Sequence, residues 1–281
     1  MTILLKKETT LGTQGKAITY ELKKLREKVG EIQAQNRPTA YKRAIIWTLL
    51  LGLPLFFLFP FFHLIVWFFI YNRNLKKGTI EYKKMIKSKM QELEPIRKGF
   101  NGETQVTNIL VNGLSDQYVV LNDISIETNK GSFTQIDHLL VCPDRKILCI
   151  ETKNIKGKFY PHKNGWLWYP TDNYVNTGNK QHVINSPQQQ SIYHARQLEY
   201  NLKKIGTKLE VEPIVVLTSP EVQWQGNQTP CPVINAEQLL TYVKSKGQET
   251  NFNSKEMKRI GEVILSLDKT ELIKGSSIIN V

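Results

Sequence analysis

The chain has 281 residues and a formal net charge of +13, with 41% hydrophobic and 22% charged residues, a balance that excludes wholesale disorder and allows one well-cored domain plus attachments. The charge is lopsided: residues 1–100 hold 19 Lys/Arg against 7 Asp/Glu, whereas residues 101–281 hold 19 against 18, so the C-terminal part is not a uniformly basic binding surface. Three cysteines, Cys142, Cys149 and Cys231, lack CxxC spacing, which excludes a zinc or disulfide framework and suits buried thiols in a reducing compartment.

Residues 1–43 form a basic arm without the apolar core of a secretory signal. Within it Leu22, Leu25, Val29 and Ile32 repeat at 3-4-3 spacing, but for under two heptads. That predicts a short amphipathic helix lying on its own domain or on a membrane rather than a coiled coil. Residues 44–71 follow, a 28-residue stretch whose clearly polar members are Thr48 and His63. Its length predicts a helix able to cross a bilayer core of about 30 Å. Lys42 and Arg43 precede it, Arg73, Lys76 and Lys77 follow it, and Trp47, Trp67 and Tyr71 sit near its ends. Pro54 and Pro60 would kink one span or turn a re-entrant hairpin; hairpin arms of about 10–12 residues are too short to cross, which favours the kinked span. The expectation is thus a single-pass membrane protein with its C-terminal domain in the cytoplasm and anionic lipid against the basic flanks. Residues 72–98 read as a basic linker, helical over 79–94 and ending before Pro95.

From Asn101 the pattern alternates between α and β. A helix is predicted over 103–111 from Val106, Ile109 and Leu110; strands over 117–121, 135–141 and 146–153; a helix over 186–204; and a strand over 213–219. Asn235 is a candidate N-cap for a helix over 236–244, and another helix is predicted over 254–267. The order is α-β-β-β-α-β-α with mixed strand pairing. Domain boundaries fall at 1–43, 44–71, 72–98, 99–220 and 221–281, the last a C-terminal extension.

The strongest chemical signal is Asp137 on one predicted strand and Glu151-Thr152-Lys153 ending the next. Period-two alternation places Glu151 and Lys153 on one face, and hairpin pairing would let Asp137 and Glu151 converge. Two neighbouring carboxylates repel, and a hard divalent cation relieves the repulsion; oxygen ligation by Asp137, Glu151 and the Thr152 carbonyl suits Mg²⁺ or Mn²⁺. A lysine beside such a cation can orient or help deprotonate an attacking water. Together these are the parts that phosphodiester hydrolysis requires. E-x-K alone usually marks a solvated strand edge; here both acids interrupt or end apolar strands.

Gly99-x-x-Gly102-Glu103, Gln135-Ile136-Asp137-His138, Ile150-Glu151-Thr152-Lys153-Asn154 with Gly157, and Trp166 resemble the nuclease-related domain family. Asn185, Pro187, Gln190, His194 and Leu198 resemble its downstream helix, with Ser186 inserted between Asn185 and Pro187. The resemblance covers roughly residues 99–220. It implies a relation to the PD-(D/E)xK nucleases, a restriction-endonuclease-like αβββαβ core with a mixed sheet, and Mg²⁺-dependent cleavage of DNA. It also implies Asp137 and Glu151 as metal ligands, Lys153 as the catalytic lysine, Glu103 as an accessory acid and Gln190 as a residue near the phosphate or the lysine.

His138 alternates away from Asp137 and reads as structural. Lys156, Lys158, His162, Lys163 and Trp166 form a basic-aromatic stretch, with Trp168 and Tyr169, that could stack bases and hold a backbone or could be a hairpin covering the sheet. Neither GxxxxGK[ST] nor GxGxxG occurs, so no nucleotide cofactor is expected. The rival expectation is a non-catalytic, membrane-associated nucleic-acid-binding module that retains the nuclease-like fold, supported by the near-neutral C-terminal part.

Overall fold

A computed structural model describes residues 2–6, 9–52, 62–169, 181–227, 230–246 and 254–271. The chain forms two compact units, one of residues 1–12 with 97–281 and the other of residues 13–96.

The larger unit is built on a six-stranded sheet in the order β1 (Ile3–Lys6), β2 (Val119–Glu127), β3 (Phe133–Val141), β4 (Ile147–Lys153), β8 (Val211–Leu217), β10 (Val233–Asn235). β2, β3 and β4 are antiparallel neighbours; β1 joins β2, and β8 joins β4 and β10, in parallel. Central strands buried on both faces read as continuous apolar runs, as in Val119-Val120-Leu121 and Ile147-Leu148-Cys149-Ile150. Leu121, Leu139, Val141, Ile147 and Cys149 face helices α4 (Pro187–Lys204) and α6 (Ser254–Ser266), which contribute Leu198, Leu202, Met257 and Ile264. Val120, Leu140, Leu148 and Ile150 face α3 (Ile80–Gly113) and α5 (Leu239–Lys246), which contribute Val106, Leu110, Leu239 and Val243. Each such fully buried side chain stabilises the fold by about 1.5–3 kcal/mol.

Taken in chain order, α3, β2, β3, β4, α4 and β8 give the expected α-β-β-β-α-β arrangement with a mixed sheet. Between β4 and α4 lies an insertion, β5 (Gly157–His162), β6 (Gly165–Tyr169) and β7 (His182–Ile184), which with β9 (Val222–Trp224) makes a second sheet in the order β7-β6-β5-β9. The hairpin alternative for the aromatic stretch therefore holds, with β5 and β6 antiparallel.

The smaller unit corrects three expectations. α1 (Thr10–Gly52) is a single helix, and its less exposed positions Ile18, Leu22, Leu25, Val29, Ile32 and Asn36 extend the heptad spacing on both sides of the four residues first noted, with Ala40 and Ala44 following at four-residue steps. Its partner is antiparallel: Glu21 pairs with Lys89, Asn36 donates to Lys77 O, and Tyr41 meets Trp67 of α2 (Phe62–Leu75). The seam is a helical hairpin rather than a lone amphipathic helix. α3 runs through Pro95 instead of ending before it, forgoing the one backbone bond that proline cannot donate.

The third correction concerns the membrane. Of the apolar run, the described residues are the end of α1, preceded by charged turns, and α2, whose 14 residues rise only about 21 Å. Among the described residues no helix is long and apolar enough to cross a membrane, so the expected single-pass segment is not found and the membrane placement drawn from it is withdrawn. Pro54 and Pro60 lie outside the described residues. Because a two-helix pair buries one stripe of each partner, Ile46, Leu50, Leu64 and Phe69 remain exposed.

Candidate active site

The β3–β4 ladder ends with His138 opposite Ile150. One residue further along each strand stand Asp137 and Glu151, where the ladder opens. Opposed residues share a face, and this face carries Leu139 and Cys149 against α4. Lys153, two residues beyond Glu151, projects to the same side, and its Nζ lies 2.6 Å from Glu151 Oε1. Asp137 Oδ2 accepts a hydrogen bond of 2.8 Å from the Thr152 backbone N–H. Glu151 is buried; its Oε2 and the Thr152 hydroxyl make no hydrogen bond among the described residues.

Helix α3 reaches the same end of the sheet from the opposite face. Asn154 Nδ2 donates to Lys98 O at 2.9 Å, tying the end of the Glu-Thr-Lys-Asn segment to the helix. A Cβ at Gly102 would stand 2.9 Å from Thr218 Oγ1 and 3.0 Å from Asn154 Cβ, so the glycine sets how closely the helix approaches. That approach delivers the next residue, Glu103, into a buried position at the site.

The charges are mutually felt. Burial, then Asp123 and Glu151, push Glu103 up to about 7, which leaves it near half-ionised at neutral pH. Burial, then Glu151 and Glu103, hold Asp137 well above the usual carboxylate range. Burial works against the charge on Lys153, but Glu151 and Asp137 outweigh it and keep the ammonium above the ordinary lysine value. Lys153 is thus a cation at neutral pH, able to stabilise negative charge and poorly able to take a proton.

Whether the donor set fits a divalent cation follows from these partners. No group of three or more His, Cys, Asp or Glu among the described residues stands ready to hold a metal unaided. Asp137 spends Oδ2 on a backbone N–H and Glu151 spends Oε1 on Lys153. What is left is all oxygen: the other Asp137 oxygen, the orphaned Glu151 Oε2 and the Thr152 carbonyl. Two carboxylates and a carbonyl, with waters at the remaining positions, match the hard-ligand, partly hydrated preference of Mg²⁺ or Mn²⁺. The residues fit the ion.

The other sequence-predicted residues divide. Gln190 lies on α4 one turn before His194 and its N–H donates to Ser186 O; no side-chain bond joins it to the acids or to Lys153 among the described residues. Lys158 and Lys163 are exposed and His162 partly so, beside Tyr160, 38% exposed and edge-on to Tyr169. Trp166 is corrected: it is 1% exposed, with its ring stacked on Trp224 at 4.2 Å, and so belongs to the core of the second sheet. Lys156 is ion-paired with Glu221 at 2.7 Å. His138 is structural, its Nδ1 2.8 Å from Asn122 Oδ1 on β2, and burial pushes its pKa down to about 3.

Two residues at the site were not among those singled out for chemistry. Asp123, buried in β2 with φ 55°, accepts from Thr10 N and Thr10 Oγ1 at 2.7 Å each. Its polar neighbour Asn122 and the break they make in an apolar strand were the available signal. His194 appeared only as part of a helix pattern, yet its Nδ1 lies 3.4 Å from Glu151 Oε2. The inserted Ser186 caps α4, accepting from Gln189 N at 3.2 Å, with Pro187 at the first helical position.

The chain is 26% identical over 110 residues to an uncharacterized protein of Bacillus anthracis, an alignment covering 39% of this chain and 49% of that protein, so the chain spans about half the length of the curated relative it matches. No solved structure matches. Residues 98–218, which contain Glu103, Asp137, Glu151, Lys153 and His194, carry a nuclease-related domain, as their match to that family's model shows.

Proposed function

We propose that residues 98–218 form a nuclease that hydrolyses DNA phosphodiester bonds with Mg²⁺ or Mn²⁺, in a restriction-endonuclease-like arrangement. One observation carries this reading: Asp137 and Glu151 face each other at the open end of two paired strands, with Lys153 2.6 Å from Glu151. Asp137, Glu151 and the Thr152 carbonyl would hold the cation, which when bound supplies Lewis acidity toward the scissile phosphate and a more acidic water. Lys153, kept protonated by its acidic neighbours, stabilises charge that grows on the phosphate. Glu103, at about 7, would accept the proton of the attacking water at neutral pH. Gln190, on the helix that covers the acids, is assigned to the phosphate side of the site. Lys158, His162 and Lys163, with Tyr160, present a basic and aromatic face suited to a nucleic-acid strand.

The test is cleavage of single-stranded, duplex and supercoiled DNA with Mg²⁺, with chelator, and with Lys153→Ala. Losing a charge stabiliser of this kind raises a barrier by about 3–4 kcal/mol, or roughly 10²–10³ in rate. Chelation is expected to abolish cleavage, and Lys153→Ala to reduce it by that factor while the fold survives. A folded variant with unchanged kinetics would remove Lys153 from the mechanism.

A second reading is a non-catalytic nucleic-acid-binding module, favoured by 19 Lys/Arg against 18 Asp/Glu over residues 101–281 only if retention of all three polar site residues serves no reaction. DNA binding without cleavage in Mg²⁺ and in Mn²⁺ would select it.

A further inference from the structure

The nuclease reading uses one oxygen of Glu151 for Lys153 and the other for a cation, and leaves His194 without a task. His194 lies on the face of α4 that presses on β4 and β8. One turn earlier, Ser191 Oγ lies 3.0 Å from Cys149 O and 3.2 Å from Ile214 O, which share its single hydrogen, and accepts from Ile214 N at 3.1 Å, which pins the helix to both strands. The imidazole is buried, and its Nδ1 has no hydrogen bond among the described residues. Facing it at 3.4 Å is Glu151 Oε2, buried and likewise without a hydrogen bond. Two buried polar atoms, each lacking a partner and each aimed at the other, are costly unless they serve one another.

We infer that His194 is a positioning residue: its Nδ1–H donates to Glu151 Oε2 and fixes the carboxylate in the orientation in which it holds the cation with Asp137. The carboxylate is then gripped from two sides, by Lys153 at Oε1 and by His194 at Oε2, and can rotate toward neither. A carboxylate oxygen has a second lone pair, so the bond from His194 leaves Oε2 able to ligate. Such supporting partners of a metal ligand typically alter metal affinity or activity by about 10- to 100-fold when removed. This inference rests on the metal-dependent reading for its consequence, but not for the hydrogen bond itself.

The experiment has two arms on the full chain. In the first, Mn²⁺ binding is measured by calorimetry for the wild type, for His194→Leu, which keeps volume without the donor, and for His194→Asn, whose amide nitrogen can occupy the place of Nδ1. Leucine is expected to weaken Mn²⁺ binding by about 10- to 100-fold, and asparagine to restore most of it. In the second, long-range ¹⁵N–¹H spectra of the wild-type imidazole report the tautomer, with Nδ1 expected to carry the proton and to shift on Mg²⁺ addition. Equal Mn²⁺ affinity in a folded His194→Leu protein, or an Nδ1 that carries no proton, would overturn the inference. Should His194→Leu fail to fold, the imidazole spectrum decides alone. A wild type that binds no Mn²⁺ would sink the metal reading and the consequence drawn here, while the spectrum would still decide whether His194 donates to Glu151.

Discussion

Glu103 shows how burial and neighbouring acids bring a carboxyl into the neutral range and what that shift costs. Pushed up to about 7, it holds a proton in the folded protein over a range in which an unstrained glutamate, near 4.5, has lost it. Between pH 4.5 and 7 the native state therefore binds more protons than the unfolded chain, and stability falls as pH rises through that window. The shift corresponds to about 3 kcal/mol between pH 4.5 and 8. His138 acts in the opposite sense: pushed down to about 3, it favours the fold at neutral pH, and that contribution is lost as pH falls below its unfolded value. Comparing the wild type with Glu103→Gln cancels His138 and reports the glutamate together with its push on Asp137. In urea titrations with chelator present, the variant is expected to gain about 3 kcal/mol on the wild type between pH 4.5 and pH 8. Parallel pH profiles would show that Glu103 is not raised.

At the scale of elements, the second sheet begins where the site ends. Gly157 opens β5 three residues after Asn154 with φ +118°, and a Cβ there would lie 2.3 Å from Tyr169 O on β6. Gly157→Ala is expected to destabilise by at least about 2 kcal/mol, through both the strained φ and the clash, and to lower the thermal midpoint accordingly. An unchanged midpoint would contradict this backbone path. Elements that the sequence revealed are those whose pattern is local: the apolar runs of β3, β4 and β8, and the spaced apolar positions of α4. Where tertiary partners decide, it revealed less. The strand predicted over 117–121 stopped at Asn122-Asp123, yet β2 continues to Glu127 because His138 satisfies Asn122, and Thr10 and Gln135 satisfy Asp123. β5 and β6 were masked by Pro161 and by aromatics that read equally as a binding stretch. Of the site, Asp137, Glu151 and Lys153 were legible because they end or interrupt apolar strands, whereas His194 was not, since a lone histidine on a helix announces no partner.

For the molecule as a whole, charge and apolar content are segregated. The basic, heptad-patterned residues 13–96 form a helical unit of their own, while residues 1–12 and 97–281 carry the sheet and the acids. An apolar run of 28 residues suggested one spanning helix, but among the described residues no helix is long and apolar enough to cross a membrane. The proposed chemistry belongs to the sheet unit and requires a divalent cation between two acids at the open end of β3 and β4. Anomalous diffraction from crystals soaked in Mn²⁺ tests that directly. The expected result is a peak within about 2.5 Å of a carboxylate oxygen of both Asp137 and Glu151, with the Thr152 carbonyl in the same shell; a peak elsewhere, with none at these two carboxylates, would contradict it.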